Sequence, residues 1–221
     1  MERPGLAIVV GMRSEAALFA PLGVPVGVGG GTVSGAEAAA ERLVAAGARA
    51  LLSAGLAGGL DPMLAPGVLV VPRGLRAQGR SFRADPALAR MLPGREVTLA
   101  LGVERPVAAV ADKRRLWRET GASIVDLESG AVARVATAHG LPFAVWRAVC
   151  DPAARGLPRA ALVALDGRGV VAPWRVAGAL LAAPRSLPAL IALAGDARAA
   201  RGALRAGVGV VGERLRAGAA G

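Results

Sequence analysis

The feature that most constrains this chain is the alternation of short apolar runs with longer Ala-rich runs. The short runs have the length of buried strands, and the longer runs have the length and composition of helices. Strands are predicted at residues 6–10, 24–28, 50–54, 68–72, 97–101, 123–127 and 143–149. This order predicts an α/β fold with a largely parallel or mixed β-sheet.

The best-defined helix is GAEAAAERLVAAG, for which Ser34 is the predicted N-cap and Gly47 the stop. After Asp151 the chain changes to helical segments that are punctuated by proline. We therefore expect an α/β domain over residues 1–171 and a helical C-terminal extension over residues 172–221.

The charge of the chain restricts its partners without selecting one. Lys113 is the only lysine, arginines supply the remaining basic side chains, and the formal net charge is +11. Such a charge permits an anionic partner. The aromatic content of 3% is low for single-stranded nucleic-acid binding, which uses stacking side chains, so no nucleic-acid partner is expected. Three arginines fall on one helical face, which is either solvated or in contact with a membrane: Arg198, Arg201 and Arg205.

Several kinds of site are excluded by single residues. Cys150 is the only cysteine, which rules out an internal disulfide and a multi-cysteine metal site. His139 is the only histidine and precedes Gly140, a pattern typical of a helix C-terminus. The GVGVVG motif at residues 207–212 matches a dinucleotide fingerprint, but no strand, helix and acidic residue follow it in the required order. We therefore expect no metal and no bound cofactor.

The N-terminal segment lacks the pattern of a signal peptide, since it carries Glu2 and has no small-residue cleavage site. The most apolar stretch, residues 176–195, is interrupted by Pro184, Arg185 and Pro188, which argues against a spanning helix. These features predict a cytoplasmic protein.

Two carboxylates stand in an apolar segment, where an unpaired charge is costly. Asp126 and Glu128 end one predicted strand, and Asp151 ends the next. If these strands are adjacent and parallel, Glu128 and Asp151 emerge together at the carboxyl edge of the sheet, where open α/β folds bind ligands. This edge is therefore the predicted site.

The surroundings of these acids predict different protonation states. Glu128 precedes a helix, whose dipole favours the ionised form, so we expect it to stay charged. Asp151 lies between apolar residues and Pro152, so we expect it to keep a proton to donate. Arg147 is either an anion clamp or a structural ion-pair partner, and both interpretations stay open.

Two glycine-rich turns follow strands and complete the predicted pocket. The first contains Gly29, Gly30 and Gly31 and opens a helix, so its N–H groups can cradle an anion. The second lets the backbone approach a flat ligand through Gly55, Gly58 and Gly59. Together with the acids, these turns predict a small-molecule site.

The segments SAGLAGGLDPMLAPGVLVV (53–71) and VDLESGAVARVATAHGLPFAVWRAVCD (125–151) resemble the purine nucleoside phosphorylase and methylthioadenosine/S-adenosylhomocysteine nucleosidase superfamily. The resemblance covers about residues 5–151 and implies a three-layer fold, with a central mixed β-sheet flanked by helices and a helical C-terminal extension. The RSEA segment, the GGG turn and the Ala/Arg/Pro-rich tail are most similar to the hopanoid-associated phosphorylases. The sequence departs from the superfamily pattern at Leu56, Val68 and Cys150.

The resemblance implies a role for each predicted site residue. Asp151 would protonate the leaving purine, and Glu15 would orient the nucleophile. Glu128, with Leu127 and Asp126, would bind the sugar. The anion or nucleophile would lie against Arg147 and the turn formed by Gly29, Gly30 and Gly31.

The implied reaction is phosphorolysis of a purine nucleoside, specifically adenosylhopane, with inorganic phosphate as co-substrate and release of adenine. A homo-oligomer and contact with the inner-membrane surface are also implied. One alternative is a hydrolytic nucleosidase for methylthioadenosine or S-adenosylhomocysteine. Another, from a different class, is a basic noncatalytic protein that binds membranes or nucleic acid.

Overall fold

A computed structural model describes residues 5–158, 161–162 and 187–218, and these residues contain an eight-stranded mixed sheet. The strands are β1 (Leu6–Val10), β2 (Val26–Val28), β3 (Ala50–Gly59), β4 (Leu69–Ala77), β5 (Arg80–Arg83), β6 (Arg95–Gly102), β7 (Ile124–Asp126) and β8 (Phe143–Asp151). The helices are α1 (Arg13–Phe19), α2 (Val33–Ala45), α3 (Pro86–Arg90), α4 (Val110–Thr120), α5 (Ser129–Ala138) and α6 (Leu187–Gly218), and a 3-10 turn (Ala20–Leu22) follows α1.

The predicted α/β class, with a central mixed sheet flanked by helices and a C-terminal helix, is confirmed. Each of the seven predicted strands is present, although β3 extends to Gly59. The helix after β2 starts earlier than predicted, because Thr32 rather than Ser34 is its N-cap and accepts a hydrogen bond from the Gly35 N–H at 3.1 Å. The predicted stop at Gly140 adopts a left-handed φ of 64°.

The sheet order is β2-β1-β3-β7-β6-β4-β5, and β8 pairs with both β3 and β4. Because each of β3, β7, β6, β4 and β8 pairs with the next, these five strands close into a ring. The expectation that β7 and β8 are adjacent and parallel is wrong, because the long strand β3 lies between them. Strand β3 is antiparallel to β7 and parallel to β8, so β7 and β8 run in opposite directions. Gly58 of β3 pairs with Val125 on one side and Asp151 on the other, so both strands still end beside it.

Helices cover the sheet from two sides. Small residues of α2 and α5, such as Ala36, Ala39 and Ala136, pack in one apolar cluster. The second cluster joins α1 and α6 to the opposite face, where Leu204 and Trp146 are fully buried. These two helical layers bury the strands on both faces.

Residues 187–218 form one continuous helix, although the prolines in the tail predict separate segments. The GVGVVG motif lies inside this helix, where a Cβ on Gly207 would come within 2.6 Å of the Trp146 ring. Glycine is required there for close packing rather than for a cofactor. The predicted boundary between residues 171 and 172 lies outside the described residues. Among the described helices, none combines the length and hydrophobicity needed to cross a bilayer.

Candidate active site

The site is built around Asp126, which ends β7 and is buried. Its Oδ1 accepts hydrogen bonds from the N–H groups of Glu128 at 2.9 Å and Ser129 at 2.7 Å. The carboxylate therefore ties the end of the strand to the first turn of α5, where unpaired backbone N–H groups need acceptors. This arrangement explains how Asp126 is tolerated in an apolar segment.

Arg147 of β8 is 1% exposed and lies between carboxylates. Its Nη2 donates to Asp126 Oδ1 at 3.1 Å, and its Nη1 lies 3.3 Å from Glu128 Oε2. Nη2 also donates to the hydroxyls of Ser53 at 2.7 Å and Ser129 at 3.0 Å. Burial lowers the pKa of Arg147, but the carboxylates raise it and the net change is upward. The structure therefore favours the ion-pair interpretation of Arg147 over the anion clamp.

The surroundings of Glu128 do not favour the ionised form that the sequence predicts. Burial raises its pKa from 4.5 to about 7, because the opposing effect of Arg147 is offset by Asp126 and Glu15. The helix dipole invoked from the sequence is outweighed by desolvation. Glu128 therefore changes charge near neutral pH.

Glu15, the third residue of α1, is 2% exposed. Its Oε2 accepts from the Met12 N–H at 2.8 Å, and its Oε1 accepts from the Leu56 N–H at 2.9 Å. The second bond joins α1 to β3 across 41 residues of sequence. Glu15 is thus held in one orientation by the backbone of two elements.

Two glycines allow these acids to converge. A Cβ on Gly11 would lie 2.6 Å from Glu128 Oε1 and 3.3 Å from Glu15 Oε2. Gly55 adopts a φ of 141°, and a Cβ there would lie 2.8 Å from Glu15 Oε1. The structure therefore brings Glu15 and Glu128 together beside Gly11, just after β1, and places Glu15 against Gly55 in the middle of β3.

Asp151 lies farther along β3, at Gly58, and is paired with Lys113. The Lys113 Nζ donates to Asp151 Oδ2 at 2.6 Å, and neither residue is more than 5% exposed. The expected apolar surroundings of Asp151 are thus absent, because the Lys113 ammonium lies beside its carboxyl group. A Cβ on Gly58 would lie 3.2 Å from Asp151 Oδ2 and 3.3 Å from Oδ1. The second predicted glycine turn is in fact part of β3, and its Gly59 packs against Pro152 at the end of β8.

The first glycine turn lies in a separate cavity of about 520 Å³. Gly30 and Gly31, both with left-handed φ, line it together with Leu127 and Arg134. Gly29 packs instead against Ala36 of α2. Leu127 therefore faces the glycine turn, whereas its neighbours Asp126 and Glu128 contact Arg147.

Sequence reasoning did not identify three residues of this network: Lys113, Ser53 and Ser129. The only available signal was the presence of one lysine among so many arginines. His139 contacts Glu41 at 2.9 Å and takes no part in the network. In the described part of the chain, no group of three or more His, Cys, Asp or Glu side chains is placed to hold a metal ion.

Comparison with known proteins agrees with this architecture. Residues 95–167 match the sequence profile of the phosphorylase superfamily. No curated protein sequence matches the chain significantly. This match agrees with the resemblance inferred from the sequence, over about a third of the chain.

Solved structures share the fold at low sequence identity. The 5'-methylthioadenosine/S-adenosylhomocysteine nucleosidase of Neisseria meningitidis, bound to methylthio-immucillin-A, has a TM-score of 0.66 and 17% identity over 94% of this chain and 98% of its own. The S-adenosylhomocysteine nucleosidase of Streptococcus pyogenes has a TM-score of 0.61 and 18% identity over 85% and 94%. A futalosine hydrolase mutant of Helicobacter pylori has a TM-score of 0.58 and 18% identity over 65% and 88%.

Proposed function

We propose that this protein, as a chain with the fold of the nucleosidases, cleaves the N-glycosidic bond of a purine nucleoside. One observation carries the proposal: buried acids occupy two positions along β3. Glu15 and Glu128 lie at the first, beside Gly11 and Gly55, and Asp151 lies at the second, beside Gly58. Gly55 and Gly58 are three residues apart on β3, or roughly 10 Å along the strand. This spacing suits a ligand whose sugar lies at one position and whose base lies at the other.

The chemistry matches the groups at each position. Cleavage of an N-glycosidic bond leaves positive charge on the sugar and negative charge on the departing base. Glu128 in its ionised form binds the sugar hydroxyls and stabilises the positive charge, and Glu15 orients the nucleophile. Asp151 contacts the purine ring nitrogen through Oδ1, since Oδ2 is bonded to Lys113. The proton that the purine receives is taken up when the nucleoside binds.

Water is the nucleophile that the surroundings of Glu15 favour. A phosphate dianion would be repelled by Glu15 and Asp126, and Arg147 is already engaged by carboxylates. Phosphorolysis remains the second candidate because the Gly30–Gly31 turn precedes α2 and lines a cavity that also contains Arg134.

A lipid-linked adenine nucleoside, such as adenosylhopane, is the substrate that we propose within this class. Arg155, just after Asp151, forms an ion pair with Asp196 of α6. On the same helix, Leu187 and Ile191 are 48% and 63% exposed and can contact an apolar substituent on the sugar. A cytoplasmic location, contact with the inner-membrane surface and a homo-oligomeric state belong to the same proposal.

The decisive experiment measures release of adenine from 5'-methylthioadenosine with and without phosphate and identifies the sugar product. Hydrolysis yields the free sugar at the same rate in both conditions, whereas phosphorolysis requires phosphate and yields a sugar phosphate. Asp151→Asn should lower turnover by about 10² to 10⁴ with little change in ligand binding. Asp112→Asn, an exposed change on α4, is the matched control.

Absence of adenine release from short- and long-chain 5'-substituted adenosines would overturn the proposal. Salt-sensitive binding of polyanions by the same preparation would then support the noncatalytic alternative. If only long-chain substrates are cleaved, and Ile191→Gln lowers kcat/KM for these alone, the lipid part of the proposal is supported.

A further inference from the structure

Lys113 is a buried cation that the proposed reaction has not yet used. Helix α4 is mostly charged and polar, and Lys113 is its buried residue, with no exposed surface. A buried ammonium is costly unless it is paired and hydrogen-bonded. The only lysine of the chain therefore occupies a fully buried position, where a charged side chain is costly.

The Nζ of Lys113 has four acceptors around it. It contacts Asp151 Oδ2 at 2.6 Å, the Asp151 carbonyl at 3.0 Å, the Pro152 carbonyl at 3.1 Å and the Arg155 carbonyl at 2.9 Å. A compact ammonium can satisfy acceptors that converge on one point, whereas a planar guanidinium directs its donors outward in a fork. This geometry explains why lysine stands here in an arginine-rich chain.

The contacts fix the position of Asp151. Because one Nζ binds the carboxylate and the carbonyl of the same residue, it restricts rotation of the Asp151 side chain. Both carboxylate oxygens lie close to Gly58, and Oδ1 accepts a hydrogen bond from the Cys150 thiol at 3.3 Å rather than from Lys113.

We propose that Lys113 is a positioning residue that presents Asp151 Oδ1 to the purine ring, an inference that rests on the proposed function. The bond between the sugar carbon and the base nitrogen breaks, its electron pair goes to the purine, and the ring receives a proton taken from solvent through Asp151 Oδ1. The sugar carbon forms a new bond to the oxygen of a water molecule, which releases one proton to solvent. Lys113 takes no part in these transfers and acts by holding Asp151 Oδ1 in place.

The kinetic test uses Lys113→Met, which keeps the aliphatic stem and removes the charge, and Arg115→Met as a control on the exposed face of the same helix. We expect kcat to fall by about 10-fold to 100-fold with little change in KM, because Asp151 is misplaced after binding. Folded Lys113→Met protein with the kcat and KM of the wild type would overturn the proposal.

A second measurement does not require the Lys113→Met variant to fold. Because Lys113 is the only lysine, ¹⁵N-lysine labelling gives one side-chain ammonium signal in the wild-type protein. Adenine is the probe: contact with Asp151 Oδ1 should shift this signal, and the shift should be lost in Asp151→Asn. A signal that is unchanged by saturating adenine would mean that Lys113 only ties the chain after β8 to α4.

The two proposals fail in different ways. If wild-type protein releases no adenine from any nucleoside, the proposed function itself is wrong. If the wild type is active but neither the Lys113 signal nor the Lys113→Met kinetics respond as described, only the role of Lys113 is wrong.

Discussion

The raised pKa of Glu128 makes the stability of the protein depend on pH in a specific direction. Below about pH 4.5 the carboxyl is neutral in both the folded and the unfolded chain. Between pH 4.5 and about 7, the unfolded chain releases the proton while the folded protein keeps it, so the free energy of unfolding falls as pH rises. Above about pH 7 both states are ionised, and the loss is complete.

The magnitude follows from the two pKa values. A difference of one pKa unit corresponds to about 1.4 kcal/mol, so the change from 4.5 to about 7 corresponds to about 3 kcal/mol in total. Most of this change, about 2.5 kcal/mol, falls between pH 5 and pH 8. Glu128 is 6% exposed, so solvent screening reduces the figure little.

The perturbation is Glu128→Gln, which removes the titrating group and keeps the shape of the side chain. Urea unfolding of both proteins at pH 5 and pH 8 measures the effect. The stability of the wild type relative to the variant should fall by about 2.5 kcal/mol between these pH values, or about 1 M in the urea midpoint. Glu119→Gln, an exposed change on α4, should show no such difference. Parallel pH dependences for wild type and Glu128→Gln would refute the reasoning.

Three further results are expected. Arg147→Met should lower the free energy of unfolding by about 3–5 kcal/mol in urea titrations at pH 7, because Asp126 and Glu128 lose their buried cation, whereas Arg115→Met should have little effect. Gly11→Ala should lower adenine release at least about tenfold with an unchanged circular dichroism spectrum, because the new Cβ would collide with Glu128. Gly209→Ala is the control, since a Cβ at that position meets open space and the variant should remain active. Equal activities of the two variants would contradict the placement of the site. Wild-type kcat/KM should fall as pH drops below about 7, where Glu128 becomes neutral, and a flat profile between pH 5.5 and 8 would exclude an ionised Glu128 from the reaction.

The strands that build the core could be predicted because each one is an uninterrupted apolar run. Strand β5 could not be predicted, because its RSFR sequence has charged residues on the exposed side. It pairs with β4, to which it is joined by a tight turn at Gln78 and Gly79. The pairing of β8 within the sheet could not be predicted from the sequence pattern either. Although β7 and β8 are neighbours in sequence, they lie on opposite sides of β3. Strand β3 is long enough to pair with β8 along most of its length and with β7 at its end.

The same distinction applies to the site. Asp126, Glu128 and Asp151 could be located because they follow apolar strands, and the structure places these strand ends on either side of β3. Their contacts depend on partners that are distant in sequence: Lys113 is 38 residues from Asp151, and Ser53 is 94 residues from Arg147. Such contacts arise only from the tertiary arrangement, so the raised pKa of Glu128 and the pairing of Asp151 with Lys113 could not be predicted.

The packing of α6 has a consequence for how the protein is made. Leu204 and Val208 of this helix cover the face of the sheet that contains Trp146, yet α6 follows all eight strands in the chain. At roughly 5–20 residues per second, a ribosome adds the residues between Asp151 and Val211 in about 3–12 s. Throughout this interval the Trp146 face of the nascent sheet lacks α6 and has only the earlier elements, such as α1 with Phe19, to cover it. Binding of general chaperones to ribosome-bound chains should therefore persist until α6 has emerged from the exit tunnel.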